Sequence, residues 1–437
     1  MAIKLIVRIG HKKVDITSFL VIFSIILKVV VSVLTPLSGD FFTLVRGAFK
    51  FNDFGFAEAV SAGWHFLWVI VLNGFQKIWL ALPIDHPSYE EIYLPVQGAY
   101  PKFISSFSSN LLIFMMKLPL LFFDILCGLL IYKIVFDLSK DRRKSLISLL
   151  LWLYNPYVLL ITEMWGAVDV AAIFFTLASM YFLMKNKLLL SAITFFLGTV
   201  SKLTAILFLP LFLVYIFKQN RRQALRYGCY SVLLFLITYA FIYFLSKGRI
   251  AYWTLHPALE YSFLIGSLLS PISGTPIGIT LLLFLLYLYM IYNIHVSKPF
   301  ALIDYTLGYL LIFFSFSYFL PQFFLWVIPF LILDIVLNDR KILYASAYLL
   351  VVFLWELIVF GFYFSGRGAS VFFIPNYNEL MRSISNFIYN LRENNLIEIF
   401  YVEIVLRSTF TAIGIAYLVR LISSLITSHF KSKADEK

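Results

Sequence analysis

Residues 21–42 read VIFSIILKVVVSVLTPLSGDFF, an apolar run that holds one lysine, Lys28, and is soon followed by an aspartate, Asp40. The run lies in a segment at 16–36 that can cross a hydrocarbon core, which takes about 20 apolar residues. A charge inside a membrane is costly and normally pairs with another charge or faces a wet cavity. The stretch therefore predicts a membrane helix with a buried cation, and a carboxylate where the chain leaves the membrane.

The composition extends this prediction to the whole chain of 437 residues, of which 61% are hydrophobic and 13% charged. The mean hydropathy is +0.90, whereas soluble domains carry about 25% charged residues. We predict an all-α polytopic membrane protein, a single domain over 1–437 with about 11–12 transmembrane helices. The predicted spans are 16–36, 112–136, 145–163, 166–184, 188–200, 203–217, 225–246, 277–294, 300–317, 321–337, 342–364 and 399–426.

The pair 188–200 and 203–217 is short for two full crossings. The alternative is one broken or re-entrant element, which is tolerated only where protein surrounds the irregular backbone.

Clusters of lysine and arginine predict the orientation of the spans. They lie at 12–13, 140–144, 185–187, 218–226 and 340–341. All of them fall on one side of the membrane if 63–83 does not cross it. Membrane proteins concentrate these residues in cytoplasmic loops, so both termini are predicted to be cytoplasmic. The net charge of +12 then needs no nucleic-acid partner. The predicted location is a cell membrane, or the endoplasmic reticulum membrane in a eukaryote.

Residues 63–83 mix apolar side chains with His65, Asn73, Gln76 and Lys77. Such a mixture suits a helix that lies at the membrane interface rather than one that spans the bilayer. Three long outer loops are therefore predicted, and long loops commonly carry function. They cover 37–111, 247–276 and 365–398.

Asp40 begins the first outer loop, beside Phe41 and Phe42. One interpretation is a carboxylate that caps the next helix. The other is a general base at the membrane surface, where substrates with lipid tails present their head groups.

Further charges lie inside predicted spans. Lys117 and Asp124 are seven residues apart in KLPLLFFD and share one helix face. We expect Lys28 to pair with Asp124 or with Glu356. A role in a substrate path is the alternative.

The stretch YNPYVLLITEMWGAVDV, residues 154–170, places Glu163, Trp165 and Asp169 around an outer hairpin. The two acids could flank one cavity, or they could hold the hairpin together. Lys202 lies at another outer turn, in GTVSKLT, where the sequence suggests no structural partner and a phosphate would give it one.

The stretch SGRGAS at 365–370 could form an anion-binding concavity with Arg367 as a fork for phosphate oxygens. Arg249 and His256 of the middle outer loop are further phosphate candidates. The sequence contains no GxGxxG, Walker, HExxH or GxSxG pattern, which argues against a nucleotide-driven pump and a serine hydrolase.

These motifs together resemble the polytopic GT-C glycosyltransferases. The likeness is carried by KLPLLFFDILCGLLIY, by YNPYVLLITEMWGAVDV, and by LLLSAITFFLGTVSKLTAILFLPLF with its lysine before an apolar stretch. SYFLPQFFLWVIPF at 317–330 is similar to the (S/P)QYFLW stretch of the dolichyl-phosphate-mannose-dependent branch, which includes the glycosylphosphatidylinositol first-mannose transferase group. SGDFF fits the family's first outer loop, which carries the acidic residue taken as catalytic.

The resemblance implies a GT-C-like bundle that moves one sugar, mannose by the QFFLW likeness, from a polyprenyl-phosphate donor to an acceptor hydroxyl on the outer face. Asp40 would be the base, and Lys202, Arg367, Arg249, His256 and Gln322 would bind substrate or phosphate. Glu163, Trp165 and Asp169 would support them. No cofactor is indicated, because a second acid beside Asp40 is missing; a divalent cation held mainly by the substrate phosphate is the alternative. Ala167 also replaces the expected glutamine of the WGQxD-like turn.

A lipid or glycolipid transporter is the rival from another class. Transporters bind near the midplane and often show repeated halves. The sequence shows no such halves, and its candidate residues crowd one face, which favours the enzyme.

Overall fold

The computed structural model describes residues 6–9, 12–34, 39–62, 66–88, 93–94, 102–103, 106–247, 279–294, 300–316, 321–338 and 396–435. The prediction of an all-α polytopic fold is confirmed for this part of the chain. The helices are α1 Ile16–Leu34, α2 Gly39–Phe54, α3 Phe56–Ala62, α4 Phe66–Leu80, α5 Phe107–Ser139, α6 Arg142–Leu153, α7 Pro156–Val158, α8 Asp169–Met184, α9 Leu188–Ser201, α10 Phe208–Gln219, α11 Arg221–Leu245, α12 Ile279–Asn293, α13 Ala301–Phe316, α14 Pro321–Phe324, α15 Ile328–Leu337 and α16 Leu396–Asp435.

The described ranges contain two short antiparallel two-stranded ribbons. β1 (Ile6–Ile9) pairs with β2 (Lys12–Asp15) just before α1. β3 (Tyr93–Leu94) pairs with β4 (Lys102–Phe103) before α5. The all-α prediction contained no strands, since neither pair is long enough to show a clear alternation of apolar and polar residues.

Four helical segments are long and apolar enough to cross a membrane among the described residues, and the remaining apolar helices are shorter. The four are Phe107–Ser139, Arg142–Met164, Arg221–Leu245 and Ile404–Phe430. The predicted span 342–364 lies outside the described residues.

Side-chain contacts distinguish two ends of the helix bundle. At the first, which we call the basic end, Asp137 near the end of α5 pairs with Lys133 at 3.1 Å and with Lys185 after α8 at 2.9 Å. The predicted basic clusters 140–144 and 185–187 therefore lie together. Helices α8 and α9 form a hairpin from this end, with the Ser179 and Ser191 hydroxyls 2.8 Å apart.

The opposite end, which we call the site end, is covered by α4. The Trp68 indole donates to the carbonyl of Ser201 at the end of α9. The Trp79 indole donates to the carbonyl of Ser108 at the start of α5. The Trp68 ring also lies 6.4 Å from the Phe123 ring, so α4 runs alongside the first half of α5, and the absence of a crossing at 63–83 stays a prediction.

The polar face of α4 points into the protein. Asn73 and Gln76 are buried, and the Asn73 amide donates to the Ala48 carbonyl of α2 at 3.1 Å. The exposed side chains are Ile70, Lys77, Ile78 and Leu80. Two of the polar residues that suggested an interfacial helix, Asn73 and Gln76, thus face the protein interior, whereas Lys77 is exposed.

Three interruptions of the helices lie near the site end. Leu159–Met164 is a π-helix, and it is followed by a turn in which Gly166 has φ +76°. Lys202 is extended between α9 and the 3₁₀ segment Leu203–Leu207, which interrupts the helix between the predicted segments 188–200 and 203–217. Residues 325–327 form the third, a turn between α14 and α15. Irregular backbone at such places requires surrounding protein.

Helices α12, α13 and α16 pack closely around one glycine, Gly308. Gly308 of α13 faces Tyr287 of α12, whose buried hydroxyl donates to the Tyr305 carbonyl at 3.2 Å. A Cβ at position 308 would lie 2.0 Å from the Tyr287 Oη and 3.2 Å from a Leu421 methyl of α16. Only a residue without a side chain lets these three helices meet.

We predict that Gly308→Ala destabilises the protein by about 1–3 kcal/mol, because the tyrosine ring must move out of a packed position. A lower apparent melting temperature in detergent would show this effect. Gly74→Ala is the matched control, since no atom lies within 4 Å of a Cβ there. Equal melting temperatures for both variants would contradict the prediction.

Candidate functional site

A group of buried charges joins α1, α5 and the π-helix. The Lys28 Nζ lies 2.5 Å from the Asp124 carboxylate and 3.3 Å from that of Glu163. The Trp152 indole donates to the other Asp124 oxygen at 2.7 Å. All four side chains are fully buried. We call Lys28, Asp124 and Glu163 the deep cluster. The predicted pair Lys28–Asp124 is confirmed, and Glu356 lies outside the described residues.

Lys117 lies beside the deep cluster and donates to main-chain carbonyls. Its Nζ donates to the carbonyl of Glu163 at 2.7 Å and to that of Met164 at 3.5 Å. It also reaches the Ser32 carbonyl, in the last turn of α1, at 3.4 Å. The lysine thus connects α5, α1 and the π-helix just before the turn that contains Gly166.

A second group lies where the three helix interruptions meet. Asp169, the first residue of α8, is buried and forms an ion pair with the partly exposed Lys202. The Trp326 indole donates to the other Asp169 oxygen at 2.8 Å. We call Asp169, Lys202 and Trp326 the site-end triad. It joins the WGAVD turn, the GTVSK turn and the QFFLW stretch, which are far apart in the sequence.

Aromatic rings surround this triad. The Lys202 Nζ lies 4.7 Å from the centre of the Phe323 ring. Trp326 stacks on Phe208 with ring centres 5.5 Å apart. Asp169 and Trp326 are buried, whereas the Lys202 side chain keeps 13% of its surface exposed. Lys202 is therefore the member of the triad that a ligand could reach.

Asp40 is the second residue of α2, near the same turn. The neighbouring Phe41 is buried, and a Cβ on Gly166 would lie 3.1 Å from its ring. Phe41 therefore packs into the protein. This contact brings the start of α2 to the turn that leads to Asp169.

The structure separates the two acids of the hairpin. Glu163 binds Lys28 in the deep cluster, whereas Asp169 binds Lys202. The expectation that Lys202 has no structural partner is wrong. Trp165 is half-buried against the core.

Gln322 is buried in α14, next to the Phe323 ring that covers Lys202. Arg249, His256 and Arg367 lie outside the described residues. Within the described ranges, no three histidine, cysteine or acidic side chains converge as a metal-binding set.

Two tryptophans of the site were not singled out from the sequence. Trp152 binds Asp124, and Trp326 binds Asp169. The available signal was chemical, since a buried indole N–H usually finds an acceptor and a buried carboxylate needs donors. Sequence distance gave no indication of which tryptophan meets which acid.

These features define an integral membrane protein of many helices, with buried ion pairs and its polar turns gathered at one end. No family model matches the chain. It is 34% identical over 108 residues to GPI mannosyltransferase 1 of Candida albicans, a match that covers 24% of this chain and about a quarter of the relative, 26%. The predicted resemblance to this group of GT-C glycosyltransferases is thus confirmed over that stretch.

Among solved structures, the chain is similar to ArnT from Cupriavidus metallidurans bound to undecaprenyl phosphate. The identity is 12%, the TM-score is 0.47, and the match covers 94% of this chain and 76% of the other.

We predict that Lys28→Met destabilises the protein by about 3–5 kcal/mol, because two carboxylates then stay buried without their cation. Lys133→Met is the control: this lysine also pairs with an aspartate, but its side chain is 51% exposed. Such exposed pairs contribute less than about 1 kcal/mol. Thermal unfolding in detergent would measure both variants, and a similar loss for both would refute the distinction.

Proposed function

We propose that this protein is a membrane glycosyltransferase of the GT-C kind. It transfers one sugar, mannose, from a polyprenyl-phosphate donor to an acceptor hydroxyl on a lipid-linked glycan. The observation that carries the proposal is the site-end triad, because it joins three of the stretches on which the resemblance rests. The similarity to a GPI mannosyltransferase supports the choice of sugar.

The proposed reaction is a single displacement with inversion. The acceptor oxygen attacks the anomeric carbon, and the bond from that carbon to the phosphate oxygen breaks. Asp40 accepts the proton of the acceptor hydroxyl, and the lipid phosphate leaves with the bonding electrons. General-base catalysis of this kind contributes about 10²–10⁴-fold to the rate.

Lys202 would stabilise the departing phosphate. It is partly exposed and carries its own counter-charge, Asp169, so the cation is held in place before substrate arrives. A preorganised cation stabilises developing negative charge without the cost of reorganisation. Arg367, Arg249, His256 and Gln322 remain proposed contacts to phosphate or sugar, with Glu163 and Trp165 in support.

The orientation in the membrane follows from the two ends. The basic end, with Lys185 and the cluster at 140–144, is proposed to face the cytoplasm, as lysine and arginine in loops usually do. The site end would then face outward or into the lumen, where a lipid-linked donor presents its sugar. The surface cleft needed there holds a base and a cation and requires no nucleotide site.

We predict that Asp40→Asn lowers transfer by about 10²–10⁴-fold, since the amide cannot accept the proton. Membranes containing the variant would be supplied with dolichyl-phosphate-mannose and a lipid-linked glycan, and the products measured by mass spectrometry. Asp53→Asn is the control, because Asp53 is exposed near the other end of the same helix. Unchanged transfer by Asp40→Asn would remove this residue from the mechanism.

We predict that Lys202→Met lowers transfer by about 10–100-fold, the value of one charge-assisted hydrogen bond. Lys187→Met is the control, because it removes an exposed lysine at the opposite end of α9. Lys202→Met alone leaves the buried Asp169 carboxylate without its cation. The double variant Lys202→Met/Asp169→Asn removes that unpaired charge. We expect it to recover stability without recovering transfer. Full activity of either Lys202 variant would exclude Lys202 from phosphate binding.

The transporter alternative has a distinct outcome in these assays. Labelled glycolipid would move from one leaflet to the other in vesicles that contain the protein, and no sugar would be added to it. Asp40→Asn would then leave glycan composition unchanged.

A further inference from the structure

Lys117 occupies a position that the proposed chemistry does not use. It is 1% exposed and lies on α5, and its neighbours are the end of α1 and the end of the π-helix. Burying an amino group at this depth is costly, so a contact with several acceptors calls for an explanation. It contacts the main-chain carbonyls of Glu163 and Met164, just before the turn at 165–168.

Those carbonyls belong to a helix end that the backbone alone leaves incomplete. The amide groups of the turn bond back to carbonyls at 160–162: Trp165 to Leu160 at 2.9 Å, Gly166 to Thr162 at 3.2 Å and Ala167 to Ile161 at 3.0 Å. The last carbonyls of any helix lack later amide partners. Here the next two, Glu163 and Met164, accept from Lys117 instead.

The segment also needs this support because it is wound loosely. A π-helix is rare and less regular than an α-helix, and it often occurs at functional sites. The following Gly166 has φ +76°, so the chain reverses within a few residues to begin α8 at Asp169. A displacement of the Met164 carbonyl would therefore move Asp169 and its contact with Lys202.

We infer that Lys117 is a positioning residue of the site-end triad. Its Nζ group fixes the carbonyls of Glu163 and Met164, and the turn that follows then presents Asp169 to Lys202 and Trp326. Lys28 acts on the same segment from the other side by binding the Glu163 carboxylate. The catalytic consequence rests on the proposed transferase function, whereas the structural one does not.

The chain offers a matched control in Lys218. Its Nζ donates to the carbonyl of Ile291 at 2.6 Å and to that of Ile294, at the end of α12. Both lysines therefore bind the last carbonyls of another helix. Lys218, however, lies near the basic end of the bundle, away from Asp169.

The first experiment is hydrogen exchange of the full-length protein in detergent, read by mass spectrometry. We expect Lys117→Met to speed exchange at 159–170 by about tenfold or more, because opening of the turn becomes easier. Lys218→Met should speed exchange near 287–294 and leave 159–170 unchanged. Lys117→Arg, which can still donate to carbonyls, should restore part of the protection. Unchanged exchange at 159–170 in Lys117→Met would overturn the inference.

The second experiment measures sugar transfer from dolichyl-phosphate-mannose. We expect Lys117→Met to lower kcat by about tenfold with little change in KM, as for a contact needed in the transition state. Lys218→Met should keep both constants. Fast exchange with normal kcat would overturn the catalytic role. If the wild-type protein transfers no sugar, the proposed function fails, and the exchange data still decide whether Lys117 holds the turn.

Discussion

A charge that enters an apolar interior needs its counter-charge there, and this requirement organises the described part of the molecule. Lys28 is held by Asp124 and Glu163, and Lys202 is held by Asp169. Each ion pair connects segments that are distant in the sequence. The helices could otherwise slide against one another, since apolar packing within a membrane is only weakly directional. The ion pairs and indole hydrogen bonds therefore fix how the spans are placed.

The deep cluster and the site-end triad differ in burial and in position. The deep cluster is fully buried and binds helices to one another, as a structural ion pair does. The site-end triad lies where three helices are interrupted, and its lysine remains partly exposed. Interrupted helices free main-chain groups and side chains for binding, and they are tolerated only inside protein. The proposed chemistry thus lies at the site end and the structural ion pairs lie below it, with Lys117 between the two.

Much of the architecture could be predicted from local sequence. Hydropathy gave the spans within a few residues, as for α1 and α5, because burial in lipid requires a continuous apolar run. The rule that charges pair within a membrane gave Lys28–Asp124. The inward polar face of α4 and the partner of Lys202 were not predicted, because they depend on which surfaces meet in three dimensions. The motifs were identified separately, and only the structure showed that Trp326 joins them through Asp169.

The position of Lys28 has a consequence for the co-translational insertion of the protein into the membrane. Helix α1 leaves the ribosome while Lys28 has no counter-charge, because Glu163 lies 135 residues further along the chain. An unpaired lysine at the centre of a helix costs roughly 2.5–3.5 kcal/mol during insertion. α1 should therefore linger at the translocation channel or the lipid boundary until α5 delivers Asp124. Assembly of the first spans would then be a concerted event, with a waiting time set by the rate of synthesis.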